Sequence, residues 1–133
     1  MANETFNAFS KANQKLNYGT IFCNGRREAL AALVRAHESL ATTSLNVAEL
    51  YAGMPPGEEA STEVLLDGLE CFDVRGSAAR LGGKLKYQYS KRGQTLSLAD
   101  TLIAAIAIEE RCALLTDNRK DFPMPELQLY SWA

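Results

Sequence analysis

Four acidic residues are spaced so that they could bind a metal ion together. Asp100 precedes an apolar run, LIAAIAI, while Asp117 and Asp121 follow a second apolar stretch, ALLT. Glu49 occurs earlier, in the segment SLNVAELYAG. Carboxylate oxygens are the ligands that Mg²⁺ and Mn²⁺ prefer, and such ions can activate water for phosphoryl chemistry. The residue types therefore indicate metal-assisted hydrolysis at a carboxylate cluster.

The acids can meet only if the fold brings their segments together. Apolar or β-branched runs alternate with helical stretches, a pattern typical of a parallel sheet with helices on both faces. In such a sheet, the strand carboxyl ends and the amino ends of the following helices share one edge. We predict strands over Tyr18–Cys23, Leu40–Ser44, Glu70–Val74, Ala113–Thr116 and Leu127–Trp132. We predict helices over Arg26–Ser39, Asn46–Met54, Glu58–Leu69, Ser77–Ser90 and Ser97–Cys112.

The predicted helices differ in how clearly they define a buried face. Ser97–Cys112 is apolar almost all round, which predicts burial on most sides. In the helix over Glu58–Leu69, the periodicity places Val64, Leu65 and Leu69 on the inner face.

Two stretches have weak helical signals. The adjacent glycines Gly82 and Gly83 weaken the helix that contains them, since each costs about 1 kcal/mol relative to alanine. Residues 1–17 are polar and asparagine-rich, and we expect a loose or marginally helical leader there.

Helix capping is an alternative explanation for two of the acids. Asn46 with Glu49, and Ser97 with Asp100, have the spacing of a cap residue followed by an acid at the third helical position. Acids in a first turn also complement the helix dipole. Asp117 is followed by an asparagine, a pair typical of simple turns. Spacing alone leaves these interpretations open, and the predicted convergence at one sheet edge favours the metal site.

Composition sets the class of protein. The chain has 133 residues, 47% of them hydrophobic and 23% charged, which is enough for one globular domain with its own core. The net charge of -2 excludes a general attraction to nucleic acid, so any such contact must be local. The three separated cysteines suit a reducing compartment, and no apolar run approaches the ~20 residues of a membrane span. We expect a soluble, cytoplasmic protein with no membrane partner.

One local basic segment could bind RNA. Between Val74 and Ala99 there are six basic residues and no acid, with Tyr87 and Tyr89 among them. Cations can follow a phosphate backbone while a tyrosine stacks on a base. A solvated helix face is the alternative explanation. The candidate RNA-binding residues are Arg80, Lys84, Lys86, Tyr87, Lys91 and Arg92.

Four segments, in this order and spacing, resemble the PIN-domain family, specifically the VapC-like ribonuclease toxins of type II toxin–antitoxin systems. They are TTSLNVAELYAG from Thr42, ADTLIAAIAI from Ala99, LLTDNRKDF from Leu114, and the closing LQLYSW. The resemblance implies an α/β/α sandwich with a central parallel sheet. It also implies an endoribonuclease dependent on Mg²⁺ or Mn²⁺, an RNA substrate, a homodimer, and neutralisation by a cognate antitoxin protein.

The resemblance also assigns residue roles. Glu49, Asp100 and Asp121 match the family's catalytic, metal-binding acids. Thr116 and Asn118 match its supporting polar residues, and Asp117 lies at the variable position between them.

The amino terminus departs from the family pattern. Family members open with an apolar strand that ends in Asp-Thr or Asp-Ser, and nothing of that form stands ahead of Gly25. We therefore divide the single domain into an atypical segment, residues 1–24, and a PIN-like part, residues 25–133. Asn24 and Glu4 are the candidate surrogates for the missing acid. The resemblance then predicts a ribonuclease with impaired catalysis, and the alternative is a PIN-like protein that binds an antitoxin or RNA without cleaving.

Overall fold

The structure, a computed structural model, describes residues 6–11, 19–22, 40–116 and 118–129, and for the first two ranges it describes the backbone only. The predicted helix over Arg26–Ser39 lies outside these residues. Strands β1 to β6 span Phe6–Lys11, Gly19–Phe22, Leu40–Thr43, Glu70–Phe72, Cys112–Leu115 and Gln128–Leu129. Helices α1 to α4 span Ser44–Ala52, Glu59–Asp67, Gly76–Lys91 and Leu98–Glu109, and a 3₁₀ turn covers Arg119–Asp121.

The strand pairing agrees with the predicted α/β class. β3 pairs in parallel with β4, so that Thr43 lies opposite Phe72, and β5 pairs in parallel with β6. β1 pairs with both β2 and β5 in the antiparallel sense, which the sequence pattern did not predict. The expected loose or helical leader is wrong for Phe6–Lys11, because these residues form a strand inside the sheet.

Helix α4 forms the centre of the core. The side chains of Ile103, Ala104, Ala105, Ile106 and Ala107 are all buried, as the apolar sequence predicts. They pack in one cluster with residues of α3, β5 and the segment after the 3₁₀ turn. Within the described ranges, no helix combines the length and the apolarity needed to cross a membrane.

Strand β3 passes into helix α1 without a loop. Thr43 is both the last residue of β3 and the residue that caps α1, and Ser44 is the first helical residue. The helix therefore begins two residues before the predicted start at Asn46. The cause is that Thr43 and Asn46 both favour caps, and the end of the strand selects the earlier one.

Helices α2 and α3 each differ from the sequence prediction at one point. Val64 of α2 is 74% exposed, so its predicted inward position is wrong, and Thr62 is the buried residue of that helix. α3 runs unbroken through Gly82 and Gly83. A Cβ atom on Gly82 would lie 3.1 Å from Leu102 Cα and 3.2 Å from the Thr101 carbonyl oxygen. Gly82 is therefore the residue that lets α3 approach the first turns of α4.

Candidate active site

Asp100 sits in the first turn of α4, where the helix cap holds it. The Ser97 side chain caps the helix, and its Oγ accepts a hydrogen bond from the Asp100 amide at 3.0 Å. At the next residue, the Thr101 hydroxyl donates to the Leu98 carbonyl oxygen at 3.0 Å. The capping interpretation of the Ser97 and Asp100 spacing is thus confirmed. It is compatible with a chemical role, because a carboxylate that accepts one hydrogen bond from Ser97 still has lone pairs for other contacts.

The environment of Asp100 disfavours its charged form. The pKa of this carboxyl is raised from 3.8 to about 6, mainly by burial and in addition by the negative charges of Asp121 and Glu49. A hydrogen bond from the Ser97 side chain acts in the opposite direction. Two carboxylates from distant parts of the chain are therefore near enough to repel Asp100. A bound cation would relieve this repulsion.

Asp121 is held by a short series of turns after β5. The Asn118 amide donates to the hydroxyl oxygen of the buried Thr116 at 3.0 Å, and the Asp121 amide donates to the Asn118 carbonyl oxygen at 3.0 Å. The next side chain, Phe122, is buried in the core cluster. Thr116 and Asn118 thus support the backbone that presents the half-buried Asp121. Asp117 lies outside the described residues.

Glu49 lies in the second turn of α1, so the expected first-turn position is wrong. The helix carries no acid in its first turn, and the cap is formed by Thr43, whose Oγ1 accepts from the Asn46 amide at 3.1 Å. The Thr43 hydroxyl in turn donates to Asn46 Oδ1 at 2.8 Å. The capping explanation therefore fails for Glu49. Its position is not needed for helix initiation.

The donor set suits a hard cation that keeps some of its water. Among residues 40–116 and 118–129, no three His, Cys, Asp or Glu side chains are grouped closely enough to hold an ion together. Mg²⁺ commonly binds through one or two carboxylates and several waters. Asp100, whose pKa is raised by Asp121 and Glu49, could contribute to such a site with water as the remaining ligands. The two candidate surrogates, Asn24 and Glu4, lie outside the described residues.

The basic residues of α3 divide into groups that the sequence did not distinguish. Arg80, Lys84, Tyr87 and Lys91 are exposed and follow one another at helical spacing. Tyr87 is 63% exposed, and the Lys91 ammonium lies 5.5 Å from its ring centroid. We call these four residues the basic stripe.

Tyr89, Arg92 and Lys86 do not belong to the stripe. Tyr89 is buried, and the exposed Arg92 guanidinium lies 4.6 Å from its ring centroid. Tyr89 therefore cannot stack on a base. Lys86 is half-buried, and its ammonium donates to the Leu96 carbonyl oxygen at 2.6 Å.

Sequence reasoning missed the buried polar pair, Thr43 and Asn46, at the start of the helix that carries Glu49. Thr43 and Asn46 are both 0% exposed and are hydrogen-bonded to each other. The signal was present, because the run TTSLN follows an apolar strand and contains three successive cap-forming residues.

Comparisons with known proteins identify the family to which the fold belongs. A family model described as PIN domain matches residues 22–124. Ribonuclease VapC19 of Mycobacterium tuberculosis is 37% identical over 100 residues, which is 74% of this chain and 80% of that protein. Ribonuclease VapC2 of Rickettsia felis is 28% identical over 106 residues, covering 75% of this chain and 79% of that protein. The crystal structure of VapBC2 from Rickettsia felis, bound to a DNA fragment from their promoter, aligns with a TM-score of 0.67 at 28% identity. That alignment covers 83% of this chain and 86% of that one.

Proposed function

Because the chain belongs to the PIN domain family and is related within it to VapC ribonucleases, we propose that it is a metal-dependent endoribonuclease, the toxin of a toxin–antitoxin pair. The observation that carries the proposal is that Asp121 and Glu49 both lie close enough to Asp100 for their negative charges to raise its pKa. These residues come from three separate segments, and helix capping accounts for only one of the three positions.

The three carboxylates would hold Mg²⁺ or Mn²⁺, directly or through water. When bound, the ion supplies an activated water and neutralises charge on the phosphate that is cleaved. The chain's own residues hold the carboxylates in position. Ser97 fixes the backbone of Asp100, while Thr116 and Asn118 support the turn that carries Asp121.

The basic stripe is the surface that we assign to the RNA backbone. Its three cations and one exposed tyrosine lie on a single helix that packs against α4, the helix that carries Asp100. No acid occurs in α3, so nothing on that helix offsets its positive charge. Arg92 follows the helix and is also exposed, and we include it as a phosphate contact. Lys86 is assigned differently below.

The likeness to a VapBC complex supports further features of the proposal. We infer that the protein is cytoplasmic, forms a homodimer, and is neutralised by a cognate antitoxin protein. Co-expression with a cognate antitoxin protein should yield a complex that elutes as one species and does not cleave RNA. Free toxin in solution should have twice the mass of the chain.

A second candidate function rests on one observation. The family's opening strand, ending in Asp-Thr or Asp-Ser, has no counterpart ahead of Gly25. A protein with the remaining acids but without that one would bind RNA or antitoxin and fail to cleave. Asn24 and Glu4 are the residues that would substitute for the missing acid.

The test compares acid variants in an RNA cleavage assay with Mg²⁺ or Mn²⁺. Asp100→Asn, Glu49→Gln and Asp121→Asn should each lower cleavage by about a hundredfold or more, since each removes charge from the reaction centre. Asp67→Asn is the control, because Asp67 is exposed at the end of α2. Mn²⁺ should raise the melting temperature of the wild type and not of Asp100→Asn.

Three outcomes separate the candidate functions. If Mn²⁺ raises the melting temperature of the wild type and of Asp100→Asn equally, the proposed metal site at Asp100 is wrong. A wild type that binds RNA yet does not cleave it with either ion would favour the non-catalytic alternative. In that case, Asn24→Asp should restore cleavage if Asn24 occupies the position of the missing acid.

A further inference from the structure

Lys86 is the one basic residue between Arg75 and Arg92 that is not exposed. Its ammonium lies 2.6 Å from the Leu96 carbonyl oxygen, ten residues further along the chain. Within the described residues, no backbone amide donates to that carbonyl. Lys86 is therefore its protein partner. A charged donor at this distance makes a strong hydrogen bond, and the half-buried position protects it from competition with water.

Leu96 lies directly before the start of α4 and is anchored in the core. Its side chain is 3% exposed and packs in the core cluster. It directly precedes Ser97, the cap residue whose Oγ holds the Asp100 amide. The contacts thus form a continuous path from the Lys86 ammonium through Leu96 and Ser97 to Asp100. Every step in this path is a hydrogen bond or a covalent neighbour.

Helix α3, which carries Lys86, also contacts the segment that follows Asp121. The Tyr89 hydroxyl donates to the Pro123 carbonyl oxygen at 3.4 Å, and its ring lies in the core cluster beside Leu96 and Phe122. Helix α3 therefore reaches both acidic segments from its inner side, through Lys86 to one and through Tyr89 to the other. The basic stripe is on its exposed side.

We propose that Lys86 is a positioning residue that holds the first turn of α4, and with it the Asp100 carboxylate, in place against Asp121 and Glu49. Its importance for RNA cleavage rests on the proposed function, whereas its effect on the backbone does not. Lys86 acts through the Leu96 carbonyl and does not touch the substrate. This separates it from Lys84, which lies two residues earlier on the exposed face.

Hydrogen exchange in the metal-free protein tests the structural part. Lys86→Met keeps the apolar stem and removes the donor, and Lys84→Met makes the same change on the exposed face. In Lys86→Met, the hydrogen-bonded amides of Asp100 and Thr101 should exchange about tenfold faster, since a charged hydrogen bond is lost beside them. The amides of residues 103–107 should keep their wild-type rates, and Lys84→Met should change neither group. Lys86→Arg, which retains a charged donor, should recover most of the protection.

RNA cleavage separates positioning from phosphate binding. Lys86→Met should lower kcat with little change in KM or in the salt dependence of RNA binding. Lys84→Met should raise KM and flatten the salt dependence. The proposal is overturned if Lys86→Met exchanges like the wild type, or if its kinetics match those of Lys84→Met. If the wild type does not cleave RNA, the proposed function fails, and exchange still decides the role of Lys86. Lys86→Gln replaces Lys86→Met if the latter does not fold.

Discussion

The first turns of α1 and α4 are capped by the same type of hydrogen bond, but the residue whose amide donates it is Asn46 in α1 and Asp100 in α4. In each, a hydroxyl oxygen accepts a hydrogen bond from the amide three residues later, at 3.1 Å for Thr43 and Asn46 and at 3.0 Å for Ser97 and Asp100. Asn46 is neutral and fully buried, and its side-chain oxygen accepts from Thr43. Asp100 is ionisable and partly exposed, with a raised pKa.

The difference shows that one local motif serves two purposes. In α1 it completes a buried polar pair that joins the sheet to the helix, and the acid of that helix, Glu49, comes in the next turn. In α4 it holds the backbone beneath a carboxylate whose charge the surroundings oppose. The first arrangement stabilises the fold, while the second sacrifices some stability at the place where chemistry is proposed.

Of the variants that test this comparison, Asn46→Asp should change the free energy of unfolding most. It places a carboxylate at a fully buried position beside the Thr43 hydroxyl, so we expect a loss of about 3 kcal/mol in the free energy of unfolding at pH 7.5. Urea denaturation measures the change. Gln88→Glu, the same chemical change on the exposed face of α3, is the control and should alter stability by less than about 0.5 kcal/mol. Equal losses in the two variants would show that Asn46 is not a structural residue.

Gly82→Ala tests whether α4 is also held from outside its own first turn. The new Cβ would lie 2.7 Å from Leu102 Cδ2 and close to the backbone of Thr101 and Leu102, so we expect a loss of about 2 kcal/mol. At Gly83, a Cβ meets no atom within 4 Å, and alanine there should raise stability by up to about 1 kcal/mol through helix propensity. Thermal unfolding of both variants gives the comparison. A stabilised Gly82→Ala would mean that the two helices can separate at no cost.

Asp100→Asn should have a smaller effect that depends on pH. The folded-state pKa of Asp100, about 6, lies above the ordinary value of 3.8. The carboxyl is protonated in both states below about pH 4, so it costs nothing there, and wild-type stability falls as pH rises toward 6. Because the group is partly exposed, solvent screening limits the full cost to about 1 kcal/mol.

The variant should therefore be about 1 kcal/mol more stable than the wild type at pH 7.5 in EDTA, and equally stable at pH 4. Chemical denaturation at the two pH values measures this difference. A variant that is less stable than the wild type at both would show that the Asp100 charge stabilises the fold.

The sequence predicted the elements that carry strong local patterns. The apolar run after Asp100 was recognisable as a buried helix because it is apolar on every side, and β3 and β5 were recognisable as short apolar runs beside turn residues. The supporting role of Thr116 and Asn118 is a prediction from the family motif, and in the structure these residues make the hydrogen bonds of the turn before Asp121.

The errors occurred where local patterns were ambiguous or where distant residues decide. α2 has nine residues and few apolar side chains, so its buried face could not be assigned, and Val64 was placed wrongly. The burial of Tyr89 was readable from its helical spacing with Ala78 and Leu85, but the basic residues around it indicated exposure instead. The contact of Lys86 with Leu96 joins a helix to a loop ten residues away, and no periodicity encodes it. The antiparallel pairing of β1 with β5 is similarly non-local.

The direct junction between β3 and α1 constrains the length of the chain as well as its residue types. Thr43 ends the strand and caps the helix, so no spacer residue can absorb an insertion or a deletion. Each residue gained or lost between Thr43 and Glu49 would rotate the glutamate by about 100° around the helix axis. Relatives that keep this chemistry should therefore vary freely in the loops that end at α2 or follow α3, and should keep this interval unchanged. Gene variants with a single-codon indel here should lose the site while retaining the helix.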